Sequence, residues 1–218
     1  RQTDASLIRI YFRYICVQNR SMYTEYQPSH LLVPYIDSYW EFKGNPDYGM
    51  RIHILPDGCT DFIFTLGEVA NAVEEGSLIM QPYRSYFVGP MTKYSELVTY
   101  TESIHMFGVR FLPCGLSCFT NLPLHEFVNS RVSTNEMKAV FDDTFIEKLG
   151  EQKHVTDRIR VVEEYLLAYL ARHYQPADSH VAMAVNMINH SKGKRSVRSL
   201  MDDVCLCQRH FERKFKHY

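Results

Sequence analysis

The hydrophobic pattern of this 218-residue chain changes period near Pro113, and that change limits the folds open to it. From Met22 to Phe111, short apolar runs alternate with turn-forming residues. The runs are Tyr39-Trp40-Glu41-Phe42, Arg51-Ile52-His53-Ile54-Leu55, Thr60-Asp61-Phe62-Ile63-Phe64, Tyr86-Phe87-Val88, Glu96-Leu97-Val98-Thr99-Tyr100 and Phe107-Gly108-Val109-Arg110-Phe111. They are too short for helices and rich in aromatic and β-branched residues, so they predict strands. That many short strands in series predict an antiparallel β-barrel or sandwich. Pro56-Asp57-Gly58 suits a tight turn and predicts a hairpin between the strands on either side of it.

Beyond Pro113, Leu116, Phe119 and Leu122 fall at helical spacing, and Ser133 with Glu136 reads as a capping box ahead of Val140 and Phe141. The clearest helix spans 155–173, with Ile159, Val162, Leu166 and Leu170 on one face and Arg158, Glu163, Glu164 and Arg172 on the other. Tyr174-Gln175-Pro176 should end it. Asp178 or Ser179 then caps a further helix, with Val181, Val185 and Ile188 inward, which stops near Ser191-Lys192-Gly193. The fold class is therefore α+β. A β-rich domain over 22–130 precedes a helical linker or dimerisation region over 131–175 and a small helical unit over 176–218. Residues 1–21 are more basic and lack a clean period, and they read as an upstream extension or an expression-derived segment.

Charge is divided along the chain. From Met22 to Asn189 there are 12 basic and 21 acidic side chains, whereas from His190 to Tyr218 there are eight Lys/Arg and three acids. A basic end on an acidic body is the asymmetry expected when one end meets phosphate. The six cysteines, several beside apolar neighbours such as Phe119, Val204 and Leu206, fit reduced core thiols better than a disulfide framework. No apolar run is long enough to span a bilayer, and no leader peptide opens the chain, so a cytoplasmic protein without membrane partners is expected.

The segment from Ser196 to Lys216 carries the functional signal. Val197, Leu200 and Val204 line one face of a short helix with Ser196 as its N-cap, and a turn at Cys205-Leu206 leads to a second helix. There, Phe211 and Phe215 point inward, which leaves Gln208, Arg209, Glu212, Arg213 and Lys216 outward. This is the pattern of a helix-turn-helix, whose second helix enters the major groove of DNA. An ordinary pair of packed helices gives the same spacing, so the rest of the chain has to weigh in.

Leu200-Met201 followed by Cys207-x-Arg209-x-Phe211-x-Arg213-x-Phe215 resembles the first helix-turn-helix of AraC-type bacterial transcription regulators. Two positions depart from that pattern. Cys207 stands where the family usually has Ser, which removes a good N-cap at a cost of about 1 kcal/mol, and Phe211 stands where it usually has Leu. The body is similar to the sensor-type domain that precedes this unit in many members. The matching elements are Tyr26-Gln27-Pro28, Tyr39-Trp40, Pro56-Asp57-Gly58 with Asp61-Phe62-Ile63-Phe64, Val88-Gly89-Pro90, and Gly108-Val109-Arg110-Phe111 with Pro113, over about 26–130.

The resemblance implies a cupin-like barrel that binds an effector or pairs protomers, joined to a sequence-specific DNA reader. It makes Arg209, Glu212 and Arg213 the base-facing residues and puts Gln208, Lys194 and Lys216 on phosphate. It implies double-stranded DNA, a small-molecule effector and a second copy of the chain as partners, with no cofactor, no metal and no catalytic residue. In the family a second helix-turn-helix follows the first. This chain stops at Tyr218, so half a DNA-binding domain, and weak DNA binding, are expected.

The rival class is a metal-dependent or ligand-binding cupin-like enzyme or carrier with a non-functional helical tail. His53, His105 and His125 are scattered rather than spaced as metal ligands, and Leu124-His125-Glu126-Phe127 is not a His-Glu-x-x-His helix. Cys114-x-x-x-Cys118 lacks a second close pair for zinc. No Gly-x-Ser-x-Gly, phosphate-binding loop or Gly-x-Gly-x-x-Gly is present, so hydrolase and nucleotide-binding readings have no support. Arg110, set in an apolar run, is expected to form a structural ion pair rather than an anion site.

Overall fold

The computed structural model describes residues 22–54, 56–69, 71–72, 79–137, 140–141, 143–173 and 178–217. Among these residues are nine strands: β1 (Tyr23–Tyr26), β2 (Ile36–Gly44), β3 (Met50–Ile54), β4 (Thr60–Thr65), β5 (Asn71–Ala72), β6 (Ser85–Val88), β7 (Ser95–Thr99), β8 (Ile104–Phe111) and β9 (Arg131–Ser133). The helices are α1 (Asp143–Glu151), α2 (Val155–His173), α3 (Ser179–His190), α4 (Val197–Asp203) and α5 (Gln208–His217), with 3₁₀ turns at Leu116–Cys118, Leu124–Phe127 and Thr134–Glu136. The expected basic extension at 1–21 and the stop at 174–176 lie outside the described residues.

The strands form two antiparallel sheets rather than the expected closed barrel. One has six strands in the order β1-β2-β8-β4-β6-β9, and the other has three in the order β3-β7-β5. Among the described residues no strand of one sheet pairs with a strand of the other, so the wall does not close. Phe62-Ile63-Phe64 and Tyr86-Phe87-Val88 are apolar at both odd and even positions because both faces of the large sheet are covered. On one face Phe62, Phe64, Phe87, Phe107 and Phe111 pack with Phe141, Phe145, Leu149, Val162 and Leu166. On the other, Trp40, Phe42, Ile63, Val88 and Met106 pack with Leu97 of the small sheet. Helices α1 and α2, which the sequence presents as a linker or dimerisation region, thus bury their apolar faces on the sheet. Phe141 meets Phe62 edge-on at 5.1 Å and 84° and Phe64 at 5.4 Å and 77°, contacts that add about 0.5–1.5 kcal/mol each beyond burial.

Further expectations are corrected. Pro56-Asp57-Gly58 does not close a hairpin, because β3 pairs with β7 while β4 pairs with β6 and β8. The turn carries the chain from one sheet to the other, with Asp57 Oδ1 accepting the Cys59 N–H at 2.9 Å and Gly58 at φ 74°. The helical spacing after Pro113 yields only the turn Leu116–Cys118, and Ser133 makes no side-chain cap at Thr134–Glu136. Arg158, expected on the outer face of α2, is buried. It donates to the Leu149 and Gln152 carbonyls at 3.2 and 2.6 Å and to Glu41 at 3.0 Å, so its charge is compensated where it sits. Among the described cysteines, all free, only Cys118 is buried, and Cys205 and Cys207 are exposed. No described helix is long and apolar enough to cross a membrane.

Candidate functional site

The C-terminal helices build a small core of their own. Ala184, Leu200, Val204 and Phe211 are buried together, with Met187, Ile188, Met201, Leu206 and Phe215 packed against them. Asp178 caps α3 by accepting from the His180 and Val181 N–H groups, and it also pairs with Lys214 of α5, so one carboxylate ties the first helix of the unit to the last. Ser196 caps α4 through the Ser199 N–H at 3.1 Å. Val197, expected inward, is 57% exposed, and Val185 faces away from this core while Ala184 takes the buried position. Cys205, at φ 53°, makes the turn in a left-handed conformation that few non-glycine residues adopt. Helix α5 opens with the Phe211 N–H donating to the Cys207 carbonyl at 2.9 Å.

This packing decides which α5 side chains remain free to meet a partner. Phe211 and Phe215 stack at 4.5 Å toward the core, and Gln208, Arg209, Glu212, Arg213 and Lys216 are exposed, as is Lys194 in the loop before α4. Arg209 and Arg213 stand one helical turn apart on one face. Gln208 and Glu212, expected on phosphate and on base, bond to each other, Gln208 Nε2 donating to Glu212 Oε1 at 2.8 Å. Arg195 is held by Asp203 and Lys214 by Asp178. Helix α5 also runs beside the body, with Cα separations of 8 Å or less from the turn Leu124–Phe127.

Between the two sheets lies a cavity of about 70 Å³. Its large-sheet wall carries Trp40 and Phe42 with Tyr23 stacked at 6.1 Å on Trp40, and its small-sheet wall carries Ile52, Ile54 and Leu97. Arg110 forms the expected ion pair here. Its Nε lies 3.2 Å from Asp61 Oδ1 and its Nη1 3.7 Å from Asp57, and the Trp40 indole N–H donates to the same Asp61 oxygen at 2.8 Å. Burial works to lower the Arg110 pKa, but the charges of Asp61, Tyr23 and Asp57 outweigh it and hold the guanidinium charged. Burial, reinforced by Asp57, pushes the Cys59 thiol far above its ordinary range, so it stays protonated and un-nucleophilic. Among the described residues no three His, Cys, Asp or Glu side chains are arranged to hold a metal ion.

Sequence reasoning missed the cavity because Trp40, Asp57 and Asp61 read as core and turn residues. The available signal was an acid and a base, Asp61 and Arg110, each inside an apolar run, but only the strand register shows that they are cross-strand partners. No curated protein and no solved structure matches the chain. Residues 24–133, from β1 through β9 and half of the whole, match the family described as a domain of unknown function (DUF6597), and the chain belongs to that family.

Proposed function

We propose that the protein is a DNA-binding transcription regulator of the AraC type, in which a small-molecule-sensing or dimerising body is joined to a helix-turn-helix formed by α4 and α5. One observation carries the reading: α5 turns Phe211 and Phe215 into a separate three-helix core and presents Arg209, Arg213 and Lys216 to solvent. Arg suits base recognition because its planar fork makes two parallel hydrogen bonds to guanine. Lys194 and Lys216 supply point charges for phosphate, and the acidic body limits non-specific binding elsewhere on the molecule. Gln208 and Glu212 exchange their mutual hydrogen bond for DNA contacts on binding. The cupin-like character of the body and the role of α2 in pairing protomers belong to the same proposal.

A second reading, a ligand carrier whose helical tail has no DNA role, draws on the cavity alone. A salt-titrated binding assay with a pool of short duplexes separates the two. The regulator reading expects sequence-selective binding that weakens steeply with salt. It also expects Arg213→Ala to lose about 1–3 kcal/mol on selected sequences and to relax the preference at one base pair. An equal loss on every sequence would place Arg213 on phosphate. No selective binding at low salt would leave the carrier reading.

A further inference from the structure

The cavity between the sheets has a chemistry of its own, and it rests on the sensing half of the function proposed above only for its purpose. Two acids and two arginines line it, so their formal charges sum to zero: Arg110 is held by Asp61 and Asp57, and Arg131 donates to Ser95 Oγ at 2.7 Å. A charged ligand entering this space would lose its hydration and meet acids and bases in equal number, Arg110 already paired with its two carboxylates. Apart from His53 and Cys59, the remaining wall is apolar, and it is aromatic and sulfur-rich. Tyr23, Trp40 and Phe42 offer ring edges and faces, and Met91 and Met106 offer flexible thioethers that favour aromatic neighbours.

One polar group has capacity to spare. Asp57 Oδ1 accepts a backbone N–H, but Oδ2 lies 3.7 Å from Arg110, too long for a hydrogen bond, so it can accept one from a ligand. The space is small. An apolar cavity of about 150 Å³ takes benzene, and this one measures about 70 Å³ before Met91 or Met106 moves aside.

We propose that this cavity binds a compact, uncharged aromatic molecule carrying a single hydrogen-bond donor, with its ring among Trp40, Phe42 and the two methionines and its O–H or N–H on Asp57. A single ring fits only once Met91 or Met106 moves aside, and sugars and nucleotides are excluded by size, carboxylates by charge.

Trp40 is the single tryptophan of the chain and stands in the cavity wall, so its fluorescence reports occupancy without a label. Phenol, toluene, benzoate and benzylamine are titrated into the full chain at neutral pH. Phenol should shift Trp40 emission saturably and raise the unfolding temperature. Toluene, which lacks the donor, should bind roughly tenfold more weakly, the loss of one hydrogen bond. Benzoate and benzylamine, both ionised, should give no saturable change over the phenol range. Ile52→Phe, which adds bulk at a half-buried wall position, should abolish the phenol response while thermal unfolding shows that the variant still folds.

Benzoate binding as tightly as phenol would overturn the proposal, because Arg110 or Arg131 would then be an anion receptor. So would silence from all four compounds, or an undiminished phenol response in folded Ile52→Phe. The DNA assay repeated with saturating phenol separates this inference from the one beneath it. Cavity binding with no effect on DNA upholds the ligand class and overturns the sensor reading. Selective DNA binding by a chain whose cavity ignores phenol overturns the ligand class alone.

Discussion

A methyl group at position 108 would meet the Trp40 indole, with Cε2 at 1.9 Å and Nε1 at 2.3 Å from the added carbon. The glycine in β8 is therefore a matter of space: its bare backbone lets the Trp40 ring lie flat over the strand and reach Asp61 across it. Gly108→Ala should displace the indole, break its bond to Asp61 and cost about 1–3 kcal/mol from overpacking. Urea unfolding reads the stability, and Trp40 emission reads the ring's environment. Unchanged values in both would mean that the ring has room to move and that Gly108 is not needed for the cavity wall. Gly89 is as tightly placed, since an added carbon there would come within 2.0 Å of the Phe127 carbonyl oxygen.

At the scale of elements, Glu41 joins three pieces of the fold. From β2 it accepts from His105 of β8 at 2.9 Å and from Arg158 of α2 at 3.0 Å, and so fastens the helix to the sheet. The His105 hydrogen bond, with the charges of His105, Arg158 and Lys43, overcomes burial and holds the carboxyl below its ordinary value of 4.5. A depressed acid stabilises the folded state fully above its unfolded pKa, and that stability is lost as pH falls through the folded pKa. Glu41→Gln should therefore cost about 1–3 kcal/mol near neutrality, and the gap from the parent should close as pH drops below 4.5. Denaturant unfolding across that range checks it, and a gap independent of pH would show that shape rather than charge is what Glu41 supplies. Elements of this kind mark where the sequence could be read. Strands β2, β3, β4, β6, β7 and β8 were legible as apolar runs, and α2 by its period, because burial imposes those patterns directly. Strands β1 and β9, at the edges of the large sheet, and the two-residue β5 were not, since an edge strand buries too little to leave a run. The ion pair of Arg158 was invisible because its partner Glu41 lies far along the chain, and Pro56-Asp57-Gly58 announces a turn without naming the sheet it leads to. The outward face of α5 was legible for the same reason as α2, but the cavity needed the register of β4 on β8.

On the scale of the whole molecule, the cavity and α5 are joined by a short physical route. Gly89 lines the cavity and touches the Phe127 backbone, the Gly89 N–H donates to Ser130 at 3.0 Å, and the Phe127 ring meets Phe87 at 5.5 Å. The turn Leu124–Phe127 is the same one that runs beside α5. A ligand that moves the β6 wall thus acts on the segment next to α5, and under the proposed function ligand and DNA should alter each other's affinity by one common factor, typically 5–150-fold. Phe127→Ala removes the ring contact but leaves the cavity's apolar wall and the exposed arginines in place. It should leave phenol affinity and DNA affinity, each measured alone, within about threefold of the parent while the coupling between them falls toward one. Fluorescence titrations of Trp40 with and without duplex, paired with DNA titrations with and without phenol, measure all four quantities. Coupling that survives Phe127→Ala unchanged would remove this turn from the route.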